Sequence, residues 1–376
     1  MTFLPGLVLA AAGVLDYGTR SELRLRGGGD IPVLDVEATP AARLSVRSHT
    51  WEVTAGYAPR LTLRQVDLRA SFEALHGATF AATLRGRRTT LSVQTSGTYG
   101  TESFSSLAFR ASSPSGSPQP ERLPETARIT YAALRAGATV SHAASRRWLL
   151  RATFEYLLSG GADEAAREIV PLQLGPHAQF GAEFAPTRKD RFVSALDASQ
   201  VAFSTGSEAV VLEASEAWRR ALSRRAESTL RVGVAGAMFA AGDADPPSYQ
   251  AYPVAEAALV YRLPADRVEM RAAVWIAPVV DRLNGRVDER LQGTLGGTWN
   301  FAPSFSLRGH IGGAASVPWT GDQAIRLALG DVALSARLTE RVRLDVGTRG
   351  ALQSPQGASQ WVFFAAATFE AQPLRF

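Results

Sequence analysis

The sequence predicts an all-β protein: a closed antiparallel transmembrane β-barrel of about 18 strands, with short periplasmic turns and longer extracellular loops. Three observations carry the prediction. Apolar and polar residues alternate with period two, the period of a strand. The alternating runs are long: Leu172–Phe184 has 13 residues and Leu34–Arg47 has 14, against about 5 or 6 in an ordinary soluble strand. The connections between runs alternate between short and long. A helical membrane protein is excluded, because no run reaches the roughly 18 apolar residues a spanning helix needs.

The chain opens on MTFLPGLVLAAAG, residues 1–13, a brief apolar run ending in small residues. It reads as a signal peptide or an N-terminal segment ahead of the barrel, leaving 14–376 as one barrel. Eighteen alternating segments follow, near 16–26, 33–48, 51–65, 75–85, 88–99, 128–144, 147–159, 172–185, 190–204, 208–219, 226–240, 251–263, 267–280, 288–301, 304–317, 324–338, 340–352 and 360–372. In the second, Leu34, Val36, Ala38, Pro40, Ala42, Leu44 and Val46 share one face, with Asp35, Glu37, Thr39, Arg43 and Arg47 on the other. The third keeps its parity through Pro59, so each proline is placed inside one long strand. Parity slips at Ala133/Leu134 and Gly330/Asp331 are read as β-bulges.

Ser48-His49-Thr50, Ser145-Arg146 and Thr339-Glu340 are tight turns, whereas Gly160–Arg167, Ala241–Ser248 and Asp281–Asp288 are longer. The longest connection, about 100–126, is the third on its side and is rich in Ser and Pro. An even strand count places both ends of the barrel on the short-turn side. A spanning sheet has to close, since lipid offers no partner to an open edge.

Composition narrows the chemistry. Cysteine is absent, so there is no disulfide framework, thiolate metal site or cysteine nucleophile. The net charge is +5, and Lys189 is the only lysine among 40 basic residues. Of the five histidines, His177 and His310 face inward by parity, and neither lies at a metal-ligand spacing. No Ser, His and acid set falls on one outward rim, so no catalytic site, cofactor or metal is expected.

If the apolar face meets lipid, the polar face lines the lumen. By parity 21 arginines, Arg128 and Arg326 among them, point inward or sit at inward strand ends, against 14 acids, an excess of 7 positive charges. The candidate pore-lining and selectivity residues are Arg43, Arg47, Arg60, Arg64, Arg308 and Arg343, with Glu37, Glu183 and Asp345. They come from strands near both ends of the chain, which meet where the barrel closes. A focused positive field favours anions; cross-strand pairing that merely stiffens the barrel is the alternative for any one arginine.

On these segments, on the aromatics near strand ends (Trp51, Tyr57, Trp148, Tyr156, Trp218, Tyr261, Trp299, Phe301, Phe363 and Phe369) and on the final Phe376, the chain resembles bacterial outer-membrane porins. Pro373-Leu374-Arg375 departs from their usual continuous last strand. Short loops and few lumen aromatics make it similar to the 18-stranded porins that partner polysaccharide-secretion machinery. That resemblance implies a passive conduit in the outer membrane of a Gram-negative-type bacterium, exporting a polysaccharide. The positive lumen suits an acidic one. The alternatives are a general diffusion porin for small anionic or neutral solutes, a plugged structural or adhesive barrel and, last, an outer-membrane enzyme. The partners implied are outer-membrane lipid, the translocated polymer or solutes, a periplasmic polysaccharide-export protein and the barrel-assembly machinery, with no nucleic acid. In porins the third outer loop narrows the channel; an extracellular loop is equally compatible with the 100–126 sequence.

Overall fold

A computed structural model describes residues 12–27, 32–66, 69–103, 128–241, 247–263, 267–281, 285–317, 326–354 and 358–375. Most of the expected leader at 1–13 and of the long loop at 100–126 therefore lies outside the described residues. The parts that are described, 12–13 and 100–103, belong to strands.

The strands are β1 (Ala12–Gly27), β2 (Val33–Arg47), β3 (Trp51–Tyr57), β4 (Arg60–Val66), β5 (Arg69–Arg85), β6 (Thr89–Ser103), β7 (Arg128–Ala143), β8 (Trp148–Gly161), β9 (Gln173–Phe184) and β10 (Asp190–Phe203). They continue as β11 (Ser207–Ala221), β12 (Ala226–Ala241), β13 (Ser248–Arg262), β14 (Val268–Val280), β15 (Val287–Ala302), β16 (Phe305–Ser316), β17 (Arg326–Arg337), β18 (Val342–Ser354), β19 (Ala358–Glu370) and β20 (Leu374–Arg375). One described helix, α1 (Glu164–Ile169), lies between β8 and β9. Neighbours pair antiparallel, and β19 returns to β1 from Gly18↔Glu370 to Gly27↔Trp361. The barrel is closed and has 18 crossings.

Two of the twenty strands are not separate crossings. Pro59 has no N–H to give the ladder, so the third crossing is divided into β3 and β4. Its register against β5 nonetheless runs on from Tyr57↔Ala78 to Arg60↔Leu75, and the parity read through Pro59 holds. β20 is a short tail that re-pairs with β1 at Val14↔Arg375 and Leu15↔Leu374.

The expected bulges at Ala133/Leu134 and Gly330/Asp331 are absent, because β7 and β17 keep an unbroken register with both neighbours. What imitates a slip is apolar residues on the inward face. Ile129 packs with Ala166 and Val170 beside α1, with Tyr131 against them, and Leu327 is buried. Arg128 and Arg326 consequently take the outward parity, contrary to the expectation, and the Arg128 guanidinium donates to the Phe72 carbonyl at 2.8 Å. Among the described residues a register shift within a strand pair falls between Asn300 and Ala302, where β15 meets β16.

The outward face is apolar and uncovered: Leu212 and Leu196 are each 58% exposed and Phe154 is 55% exposed. An apolar surface this extensive on a soluble protein would drive association; on a barrel it is the lipid-facing band. Aromatic pairs mark its short-turn edge, with Trp148 on Phe184 at 4.7 Å and Phe192 on Trp218 at 6.5 Å. Trp361 and Phe363, 5.2 Å apart, stand towards the loop edge. Interfacial girdles of this kind seat amphipathic rings at the headgroups.

Gly100 is held at φ 147°, where an added Cβ would overlap the Ala74 carbonyl oxygen on β5. Only glycine adopts that backbone without strain. Gly100→Ala is expected to cost about 1–3 kcal/mol, read by urea unfolding in detergent micelles. A loss within about 0.5 kcal/mol would show that β6 relaxes there.

Candidate functional site

Strand alternation sends one side chain in two into the lumen, and the two sides of the lumen differ. On the side formed by β18, β1, β2, β4, β5 and β6, a chain of inward charges is paired and, at its centre, buried. Arg343 Nε lies 3.3 Å from Asp345, which also holds Arg20 at 3.3 Å and accepts from Ser335 at 2.5 Å. Arg20 reaches Glu22 at 3.0 Å, and Glu22 accepts from Arg24 Nε at 2.6 Å. Arg24 reaches Glu37 at 2.9 Å, Glu37 lies 3.6 Å from Arg60, and Arg60 is paired with Glu102. A branch joins Arg26 to Asp35, Asp35 to Arg64 at 3.0 Å, and Arg64 to Glu73 at 2.8 Å. Asp35 and Glu102 are 0% exposed.

Charges taken out of water this completely are tolerated only when matched and hydrogen-bonded. The network crosses the β19–β1 closure, where β19 contributes small or uncharged residues such as Ala366 and Thr368. It ties the two ends of the chain together across the seam. Arg349, 4.4 Å above the Phe364 ring, flanks it and lies 3.9 Å from Glu22.

The opposite side, β8 to β13, is open. A recess of about 420 Å³ is lined there by Arg151, Glu183, Arg219, Arg231 and Glu256. Small residues in one register row, Gly181, Ala195 and Ser215, form part of its lining beside Arg151. Side chains this short leave this stretch of wall flat among the described residues. Above the recess His177 Nε2 lies 2.8 Å from Asp197, and Glu155 takes Arg135 at 2.6 Å. Outside the spanning segments, the Ala166 N–H beside Asp163 holds that carboxyl below its ordinary pKa, with a further hydrogen bond to Thr130. Asp163 thereby caps α1.

The structure divides the candidate residues between these settings. Arg60, Arg64, Glu37, Asp345 and Arg343 belong to the network. Arg43 and Arg47 are exposed near the short-turn end of β2 and have no ion pair among the described residues. Arg308 is mostly exposed, 3.9 Å from Asp331, and Glu183 pairs with Arg191 at 3.2 Å on the open side.

Glu73 and Glu102 escaped the sequence reading although both are buried in the network. Leu75 is buried on the inward face and breaks the polar rule for that face, so β5 looked shorter than it is. Extending the parity of β5 and β6 by two or three residues would have found both acids. Together with inward Asp288 beside Arg290, and without Arg128 and Arg326, they lower the positive excess read from the sequence, partly offset by inward Arg85, Arg191 and Arg219, which the parity count also missed. Among the described residues no group of three or more metal-ligating side chains converges.

A closed 18-crossing barrel with an apolar outer band, aromatic edges and a charged lumen defines an outer-membrane β-barrel of the porin kind. The chain belongs to the EpsX exopolysaccharide export family, whose profile matches residues 10–369. In shape it is similar to outer-membrane porins from Pseudomonas aeruginosa. OpdL matches with a TM-score of 0.53 at 12% identity, covering 98% of this chain and 99% of its own. OccK7 (OpdD) matches with a TM-score of 0.53 at 10% identity, covering 97% and 99%. At such identities the likeness is one of fold. A search of curated protein sequences gives no match.

Proposed function

We propose that this barrel is a passive outer-membrane conduit through which an exopolysaccharide leaves the cell, and that it catalyses no reaction. The observation that carries the reading is membership of the export family over nearly the whole barrel. The open β8–β13 side adds a polar, small-residue path along which a hydrated chain slides without a deep pocket to hold it. The reading places the protein in the outer membrane of a Gram-negative-type bacterium, inserted by the barrel-assembly machinery. A periplasmic polysaccharide-export protein delivers the polymer, for which an acidic chain suits the cationic lumen best.

Two measurements test this. The purified barrel in a planar bilayer is expected to give a stable conductance with a preference for anions. Cells lacking it are expected to hold polymer in the periplasm and lose it from the surface. A stable conductance with normal surface polymer would favour a general diffusion pore for small solutes. No conductance at all would point to a plugged structural barrel.

A further inference from the structure

The lumen is also asymmetric along its axis. Towards the loop end its arginines are neutralised: Arg24, Arg60, Arg64 and Arg290 are buried and each has a carboxylate partner. Towards the short-turn end, five inward arginines have, among the described residues, neither an ion pair nor a side-chain hydrogen bond. They are Arg43 and Arg47 on β2, Arg151 on β8, Arg219 on β11 and Arg337 on β17, and all stand within a few residues of a short turn. Asp16 stands opposite Arg43 and Glu52 opposite Arg47 in the strand registers, but Glu52 is held by Arg85 at 2.7 Å. Asp16, Glu227 and Glu370 are the three inward acids at this level that, among the described residues, have no ion pair, so five cations face three acids.

Two register pairs sharpen the point. Arg219 lies directly opposite Arg191, and Arg337 directly opposite Arg343. Like charges facing across a strand pair destabilise a sheet. In each pair one member has a carboxylate, Glu183 for Arg191 and Asp345 for Arg343, and the other is left unmatched. The field continues into the turns, several of which carry adjacent basic residues, such as Arg87-Arg88, Arg146-Arg147 and Arg224-Arg225.

We infer that the short-turn mouth of the lumen is a capture site for an anionic polysaccharide, a chain bearing carboxylates at intervals, entering from the periplasmic side. The inference rests on the conduit reading, which already takes an acidic chain delivered from the periplasm, and adds to it the site of capture and the residues that form it. The inward position of the five arginines excludes a lipid headgroup or a folded acidic protein as the main occupant, because neither enters the bore. Guanidinium groups suit the task, since their planar forks match carboxylates bidentately. Spread around the circumference, they hold no single sugar tightly and leave the chain able to advance.

The test is sided block of single channels by oligogalacturonate, with a malto-oligosaccharide of equal length as the neutral control. The native chain has no cysteine, so Glu164→Cys in exposed α1 gives one label that reports which side of the barrel faces each chamber. The acidic oligomer is expected to block from the short-turn side at about tenfold lower concentration than from the loop side. That difference should fade at about 1 M salt, where screening reaches within about 3 Å. R151Q/R219Q/R337Q should abolish it, with folding checked independently by heat-modifiable gel mobility. Equal block from both sides, equal block by the neutral oligomer, or sidedness that survives in the triple variant would overturn the capture site while leaving a conducting pore. Absence of any conductance in the native barrel would remove the conduit reading and this inference with it.

Discussion

Asp35→Ala is expected to destabilise the barrel by about 3–5 kcal/mol, the usual cost of breaking a fully buried ion pair from one side. Asp35 is 0% exposed and stands between Arg26 and Arg64. Truncating it leaves two guanidiniums without their shared acceptor in a place water does not reach freely. Glu73 still reaches Arg64 at 2.8 Å, which keeps the loss from being larger. Asp35→Asn preserves shape and one acceptor but not the charge, so it should fall between the variant and the native chain. Urea titration of barrels folded into lipid vesicles reads both. If Asp35→Ala cost less than about 1 kcal/mol, the pair would be behaving like an exposed one, and the wall would be wet. The variant separates two roles that a charged lumen confounds: a group that holds the wall together lowers stability, whereas a group that faces the pore changes ion flow.

That separation is also where reading from the sequence reached its limit. The crossings were legible because lipid on one side and water on the other impose a strict two-residue period, as in Leu34–Arg47, and because closure admits one architecture. Inward or outward orientation followed from the same period for Arg60, Arg64, Asp345 and Arg343. The period fails where the inward face is itself covered. Ile129, Leu75 and Leu327 are apolar and inward, so β7 and β17 imitated bulges and β5 appeared to begin near residue 75 instead of at Arg69. Burial within the lumen leaves no such trace. Arg43 and Arg64 are indistinguishable by parity, yet one is exposed with no ion pair among the described residues and the other has two buried carboxylate partners. Partnership depends on which strands meet at equal height around the cylinder, and that is set by registers that no local pattern specifies.

Reversing Arg43 and Arg47 together to Glu is expected to swing the ion preference of the pore towards cations, while reversing Arg60 and Arg64 is expected to prevent assembly. In the first pair both side chains are exposed to the lumen, and the double change alters the local charge by four units. A unit charge about 7 Å from a passing ion in water is worth roughly 0.6 kcal/mol. Screening at about 0.1 M salt, with a Debye length of about 10 Å, trims that further. The cation-to-anion permeability ratio should therefore rise by about three- to tenfold, read from the reversal potential across a salt gradient. Arg60 and Arg64 sit beside Glu37, Glu102, Asp35 and Glu73. Glutamates in their places would crowd six carboxylates into a buried wall that retains Arg24 and Arg26, and no heat-modifiable folded species should accumulate. An R43E/R47E barrel with an unaltered reversal potential would take β2 off the ion path and confine conduction to the β8–β13 side. A well-folded R60E/R64E barrel with changed selectivity would mean that the paired wall is the pore surface after all.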